Sequence, residues 1–342
     1  MNTWKNVWMI LVAIILGYGV TSCSSDNDDV KLSNTEKELQ AVTAEVLKTK
    51  KSEKALLLVA FGSTWDAPQE TFRKIRKQFA QEFPDRDIYF SFTSVICITK
   101  CAAEGTGQYY APEVWLKALG RAEYKELAIQ SLHVIPGEEY LSVQTAAKKA
   151  FKIQGKDGLS NTKIYLSGPL LAEEEDVTEV AQILHSKLGK QAENAVVTLM
   201  GHGNPETLNY GNGNSRYPMM EAALQKLNPN YFVATVDMEG NFIPDMIERM
   251  KKQGKTGMTA YCYPLMVVAG DHANNDMKGG REAKAEAESW RAELTEAGYN
   301  CPIENCVLTG LGDYPEVVNV WVKHLKVALK GEPFYDPSAK EE

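Results

Sequence analysis

Residues 197–204, VTLMGHGN, can be laid over residues 56–63, LLLVAFGS, so that Phe61 falls on His202 and Gly62 on Gly203. Each is an apolar run that breaks into glycine and a small polar residue, the pattern of a buried strand running into a turn. A second pair repeats the relation. Residues 131–140, SLHVIPGEEY, lie over residues 264–273, PLMVVAGDHA, which places His133 on Met266 and Gly137 on Gly270. Self-similarity of this kind marks two copies of one supersecondary arrangement.

The rest of the chain agrees with two halves. Apolar runs at 55–62, 87–94, 126–134 and 162–168 read as strands of the first, and runs at 194–201, 231–238, 257–266 and 302–309 as strands of the second. Amphipathic segments lie between them. Residues 68–83, for instance, open on Pro68, which suits a first helical turn. Strands alternating with helices predict parallel sheets with helices on both faces. The expected fold is therefore α/β, with two facing lobes, each a four-stranded parallel sheet flanked by helices. The first lobe is expected over 54–191 and the second over 192–330, with a C-terminal helix that can pack on the first and a tail at 331–342.

The N-terminus reads as a targeting segment. Lys5 precedes an apolar stretch, Val7 to Val20, too short to span a membrane comfortably. Val20-Thr21-Ser22-Cys23 resembles a bacterial lipobox, so residues 1–22 are expected to be a signal peptide and Cys23 the lipidated residue. Residues 23–53 then form a polar, acidic tether and an amphipathic helix over 34–50. This predicts a lipoprotein at the periplasmic face of a bacterial membrane or at the cell surface.

Composition excludes several classes. A net charge of −8 without a basic stripe argues against nucleic acid as a partner. Beyond Cys23 the cysteines are Cys97, Cys101, Cys262, Cys301 and Cys306, an odd number that makes no disulfide framework and contains no C-x-x-C pair for a zinc ribbon. Cys97 with Cys101, and Cys301 with Cys306, are alternatives for pairing in an oxidising compartment, and buried thiols are the expected state. The chain has no G-x-S-x-G elbow, no Walker A loop, and no G-x-G-x-x-G following a strand. ATP-driven, dinucleotide and serine-hydrolase chemistry are therefore not expected.

In open parallel sheets, ligands bind beyond the carboxyl ends of the strands. His133 and His202 occupy such ends, one in each half, so two imidazoles are expected to face each other across a cleft. Neutral imidazoles suit a divalent first-row metal such as Co²⁺, Fe²⁺ or Ni²⁺. Two ligands make an open site, from which a metal can leave for another set of donors. Glu138 and Glu139 follow His133 and would favour a cation, although carboxylates also complement a helix N-terminus. His272, in a polar loop, is a candidate for the cleft rim. Arg216, Lys278 and Arg281 are candidates for substrate carboxylates, and Tyr109, Tyr110 and Tyr210 for an aromatic face. His185 and His324 lie in helical patterns and read as structural.

The strings LLLVAFGS, SLHVIPGEEY, GPLLAEEEDV, LMGHGN and LMVVAGDHANNDM resemble the CbiK-type anaerobic cobaltochelatases, over about residues 54–330. The resemblance implies two chelatase-like (flavodoxin-like) lobes and ATP-independent insertion of a divalent metal into a tetrapyrrole such as sirohydrochlorin. It implies metal-handling roles for His133 and His202, with an acidic partner at Glu173. Phe61, Gly62, Ser63, Glu138, Gly203 and His272, around the strand ends, are the candidate substrate contacts. Smaller relatives carry a histidine where this chain has Phe61. The lipoprotein leader departs from the family's cytoplasmic setting, and leaves open a lipid-anchored binder of haem, a corrinoid or a metal. The oligomeric state is open too, a homo-oligomer included.

Overall fold

A computed structural model describes residues 34–280 and 287–339. The leader, Cys23 and Arg281 lie outside the described residues.

Two separate parallel sheets carry the fold. The first has the order β2–β1–β3–β4, from β1 (Lys54–Ala60), β2 (Asp87–Phe92), β3 (Glu126–Ser131) and β4 (Lys163–Ser167). The second has the order β6–β5–β7, from β5 (Ala195–Gly201), β6 (Tyr231–Thr235) and β7 (Thr259–Pro264). The overlaid segments are thus β1 and β5, each the inner strand of its sheet, and β3 and β7 hold matching places beside them.

The second sheet differs from expectation at residues 302–309, which form no strand. Pro302 is followed by a 3₁₀ turn, Ile303–Asn305, and only isolated bridges remain, Thr259 to Asn300 and Cys262 to Cys306. Ala260 N–H donates to Asn300 O at 2.9 Å and Val307 N–H to Cys262 O at 2.9 Å. A parallel ladder therefore starts at both ends and is interrupted in the middle. Pro302 lacks an N–H and has its φ fixed by its ring, so it cannot carry the ladder through.

Strand alternation divides the core into three. Leu56, Leu58 and Ala60 of β1 and Val197 and Leu199 of β5 belong to one central cluster that lies between the sheets. The opposite face of β1, with Ala55, Leu57 and Val59, packs in a cluster with Leu39, Val42 and Val46 of α1 (Asn34–Thr49) and with Trp115 and Leu119 of α4 (Pro112–Arg121). The opposite face of β5, with Val196 and Met200, joins Phe232, Met246 and Trp290. Strands buried on both faces need not alternate polar with apolar, which is why their sequences are near-continuous apolar runs. Thr198 inside β5 is accommodated by donating its hydroxyl to Tyr261 O at 3.1 Å.

Two helices bind the halves together. α6 (Glu174–Ala192) packs on β5 and on α7 (Arg216–Gln225), whereas the C-terminal helix, here α10 (Pro315–Ala328), packs on β3, β4, α6 and α2 (Asp66–Glu82). The α6–α10 contact holds a buried pair, His324 Nε2 donating to Asp176 Oδ1 at 2.9 Å. Asp176 also accepts from the Glu173 backbone N–H at 2.8 Å. Burial opposes ionisation of Asp176, but these donors and the Lys323 charge prevail and hold its carboxyl below the usual range. A carboxyl depressed in the folded state contributes stability that is complete above its unfolded pKa, about 3.9, and is lost as pH falls through the folded value. Asp176→Asn should therefore lower stability at neutral pH by about 1–3 kcal/mol. In acid the difference should vanish. Urea titrations at pH 7 and at acid pH check this, and a difference that grows in acid would overturn it.

Candidate active site

The carboxyl ends of β1, β3, β5 and β7 open on one cleft with a cavity volume of about 290 Å³. Each strand end delivers a different part. Phe61, Gly62 and Ser63 follow β1, His133 follows β3, His202 and Gly203 follow β5, and the 265–272 segment follows β7. This is the expected place for a ligand in parallel sheets.

His202 and His272 are in ring contact, with centroids 5.0 Å apart and planes at 74°. His202 Nδ1 lies 2.7 Å from Gly203 O. A carbonyl only accepts, so Nδ1 carries the proton and Nε2 keeps its lone pair. His272 Nδ1 lies 2.5 Å from Asp276 Oδ2, which fixes the second imidazole in the same sense. Burial lowers the basicity of His272. The hydrogen bond to Asp276 and the charges of Asp276, Asp271 and Asp237 outweigh it and raise the pKa above the ordinary histidine value. Each imidazole thus has its Nδ1 tied to an oxygen, and neither Nε2 has a hydrogen-bond partner among the described residues, an arrangement that suits nitrogen ligands.

His133 stands in the wall of the same cleft, 6% exposed. Its Nδ1 pairs with Ser131 Oγ at 2.8 Å, and its Nε2 has no hydrogen-bond partner among the described residues. Burial pushes its pKa down, against a smaller opposing effect of Glu139. The backbone is held from the far side, since Leu170 N–H donates to His133 O at 2.9 Å and Leu171 N–H to Val134 O at 2.8 Å.

The glycines beside His202 have specific causes. A Cβ on Gly201 would stand 2.2 Å from the Tyr217 ring, and Gly203 has φ +78°. Tyr217 fills the space that Gly201 leaves, and its hydroxyl accepts from Gly203 N–H at 3.0 Å. The glycines serve the seating of the histidine loop on Tyr217.

Not every expected residue reaches the cleft. Glu173 is exposed at the N-terminus of α6, in a run of carboxylates that complements the helix dipole, and does not line the cleft. Glu138 opens α5 (Glu138–Lys152) and stands outside the cavity lining, but within electrostatic reach of His202. Its neighbour Glu139 lines the cleft, because consecutive helical positions point about 100° apart. Ser63 lines the cleft, yet its polar atoms serve the loop: Trp65 N–H donates to its Oγ at 3.3 Å and Gln69 Nε2 to its carbonyl at 2.5 Å. Arg216 donates to the carbonyls of Leu171 and Ala172, at 2.9 and 2.7 Å, and so braces the fold. Tyr109 stacks on Phe92 at 3.8 Å, and neither it, Tyr110 nor Tyr210 lines the cleft.

Residues passed over by the sequence reading stand close by. Asp237, at the end of β6, donates its backbone N–H to His202 O at 2.9 Å and lies within electrostatic reach of His272. A carboxylate just past an apolar strand, VATVDM, was the available signal. Lys100, Asp271 and Ile96 also line the cleft, and Phe61 is 46% exposed there.

Comparison with known proteins gives a consistent result. The profile of the family cobalt chelatase (CbiK) matches residues 54–330. Sirohydrochlorin cobaltochelatase of Salmonella typhimurium is 29% identical over 279 residues, which cover 81% of this chain and 96% of that protein. Sirohydrochlorin cobaltochelatase CbiKC of Nitratidesulfovibrio vulgaris is 30% identical over 284 residues, 81% of this chain and 91% of its own. Among solved structures, SirB from Bacillus subtilis with Fe³⁺ superposes with a TM-score of 0.52 at 16% identity, over 80% of this chain and 95% of that one, a likeness of fold. The chain belongs to the CbiK family of cobalt chelatases.

Proposed function

We propose that this protein inserts a divalent metal, Co²⁺ in the first place, into sirohydrochlorin. The ion replaces two pyrrole protons, so each turnover takes up one M²⁺ and releases two H⁺. The observation that carries the reading is the His202–His272 pair, with rings 5.0 Å apart and each Nδ1 tied to an oxygen. Two imidazoles hold an ion without enclosing it, so the macrocycle nitrogens can compete for it. Glu139, Asp237 and Asp271 add negative charge that draws in a cation. His133, whose Nε2 has no hydrogen-bond partner among the described residues, is an acceptor for a pyrrole proton, which its burial makes it pass on readily. Phe61 and Ile96 offer apolar contact to the macrocycle, and Lys100 a cation to one of its carboxylates. The cavity matches the low end of small-molecule clefts, roughly 300 Å³, so it fits one edge of the ring.

We further propose that Cys23 is lipidated and holds the enzyme on a membrane. One experiment tests both readings. Full-length protein is expressed in a bacterium, membranes are separated, and the absorption change of sirohydrochlorin is followed with Co²⁺, Fe²⁺ or Ni²⁺ and no nucleotide. The expected result is many turnovers per chain, fastest with Co²⁺, sedimenting with the membranes, whereas Cys23→Ala activity stays with unprocessed precursor. A spectral change that stops at one equivalent per chain would replace catalysis by binding. Activity in the soluble fraction from the wild type would remove the anchor.

A further inference from the structure

Outside the cleft, one group of donor side chains converges from separate parts of the chain. Cys262 lies on β7, Cys301 follows the short helix α9 (Trp290–Glu296), and Cys306 follows the 3₁₀ turn at Ile303–Asn305. Their three sulfurs all lie within 4.8 Å of one another, and Cys262 Sγ and Cys301 Sγ are 3.9 Å apart. All three residues are buried, at 0%, 4% and 4% exposure.

We propose that Cys262, Cys301 and Cys306 form a three-thiolate site for one zinc-class divalent ion, separate from the cleft. Zn–S bonds of about 2.3 Å set the sulfurs of a tetrahedral site about 3.8 Å apart, so the Cys262–Cys301 separation already suits an ion. A disulfide needs about 2.05 Å and would leave the third thiol over. The three thiols are not alike: the Cys306 thiol is held below the ordinary range because Cys262 and Cys301 donate to it, whereas those of Cys262 and Cys301 are pushed up by hydrogen bonding within the group and by burial, so the convergence of the sulfurs carries the site. A thiolate in an apolar core is costly unless something positive compensates it, which an ion does directly. The Met277 carbonyl oxygen, 3.9 Å from Cys306 Sγ, stands beside the sulfurs as a further donor.

The location gives the site a purpose. Cys262 and Cys306 form one of the two isolated bridges that replace the missing ladder of the second sheet. An ion there joins β7 to the returning segment where hydrogen bonding fails. Residues 273–277, which follow His272 directly, pack on β7 and α9. The ion would thus steady the floor beneath the histidine loop. The spacing of the three cysteines hides the site in the sequence, since two of its donors come from irregular chain.

The test uses full-length protein, reduced, stripped with a chelator and reloaded with Zn²⁺ or with Co²⁺ as a spectroscopic probe. Thiolate-bound Co²⁺ shows sulfur-to-cobalt charge transfer in the near ultraviolet, which imidazole and carboxylate ligands do not give. The expected result is about one zinc ion per chain surviving gel filtration in the His202→Ala/His272→Ala double variant. The cobalt band should be present in that variant, in the wild type and in Cys97→Ser. It should be lost in Cys301→Ser and Cys306→Ser. Absence of the band from both the wild type and the histidine double variant would overturn the proposal without depending on how the cysteine variants fold. So would a disulfide among these three residues in protein isolated without reductant. Neither result bears on tetrapyrrole metallation, so failure here is distinguishable from failure of the chelatase reading.

Discussion

Alanine at His202 or at His272 should slow metal insertion by about 100-fold or more, with the unfolding transition unchanged. Both rings are partly exposed on an open cleft, so truncation leaves no core cavity. Each imidazole provides half of a two-nitrogen donor set, and a single remaining nitrogen holds a hydrated divalent ion poorly. The loss should therefore be greatest at limiting metal and should shrink as metal is raised. The double variant should be little worse than the worse single, because residues acting as a unit are non-additive. His133→Ala should behave differently. Its Nδ1 is engaged by Ser131, and its place is in the wall, apart from the ring contact of the pair. Loss of a proton acceptor lowers kcat at every metal concentration, so excess metal should not rescue it. Initial rates of sirohydrochlorin metallation over a range of Co²⁺ concentrations separate the two patterns. Near-normal turnover at limiting metal in either His202→Ala or His272→Ala would remove that residue as a carrier.

The halves of this fold were legible in the sequence because β1 and β5 are buried on both faces. Both strands are apolar apart from Lys54 at the start of β1 and Thr198 inside β5, and the glycine turn after each sits at the end that opens on the cleft. The interrupted edge of the second sheet was not legible. Residues 302–309 have a strand's composition, and only the pairing partners show that Pro302 breaks the ladder. His202 could be chosen from its place at a strand end, and His272 could be placed only at the rim. Its nearness to His202 depends on how the segment after β7 folds back, which periodicity does not encode. Glu173 illustrates the converse. Its metal role is implied by the resemblance alone, and the structure places it outside the cavity lining, first of four acidic residues at the start of a helix, where its charge also suits the N-terminus. Asp237 was hidden because one acidic residue after a strand is common and only its contact with the His202 backbone distinguishes it.

The largest stability effect is expected at Trp321. It is fully buried in α10, in the central cluster that holds residues of both sheets. α10 follows the second half in sequence yet rests on the first sheet through α2, β3 and β4, and on α6. Besides the buried His324–Asp176 pair at 2.9 Å, which contributes about 1–3 kcal/mol, its polar contacts lie at its edges: Gln78 Nε2 to Asn319 Oδ1 at 2.7 Å, Lys326 to Glu82 at 2.5 Å and Lys323 to Glu179 at 2.7 Å. The last two are exposed ion pairs, each of which contributes at most about 1 kcal/mol. The attachment of α10 must therefore come chiefly from its buried face, Val317, Val318, Trp321, Val322 and Leu325. Trp321→Ala removes the largest of these side chains and leaves a cavity between two layers that cannot both collapse into it. The expected loss is about 3–5 kcal/mol, with Trp321→Phe losing roughly half as much. Because the helix packs on the first sheet and on α6, which packs on β5, and its buried face belongs to the cluster shared by both sheets, the loss should affect the whole transition instead of splitting off one half. Urea unfolding followed by circular dichroism and by the remaining tryptophans should then give coincident curves, both displaced to lower denaturant. A loss below about 1 kcal/mol would mean that α10 is held by its polar rim. Separated curves would mean that the two sheets unfold independently and that the central cluster does not couple them.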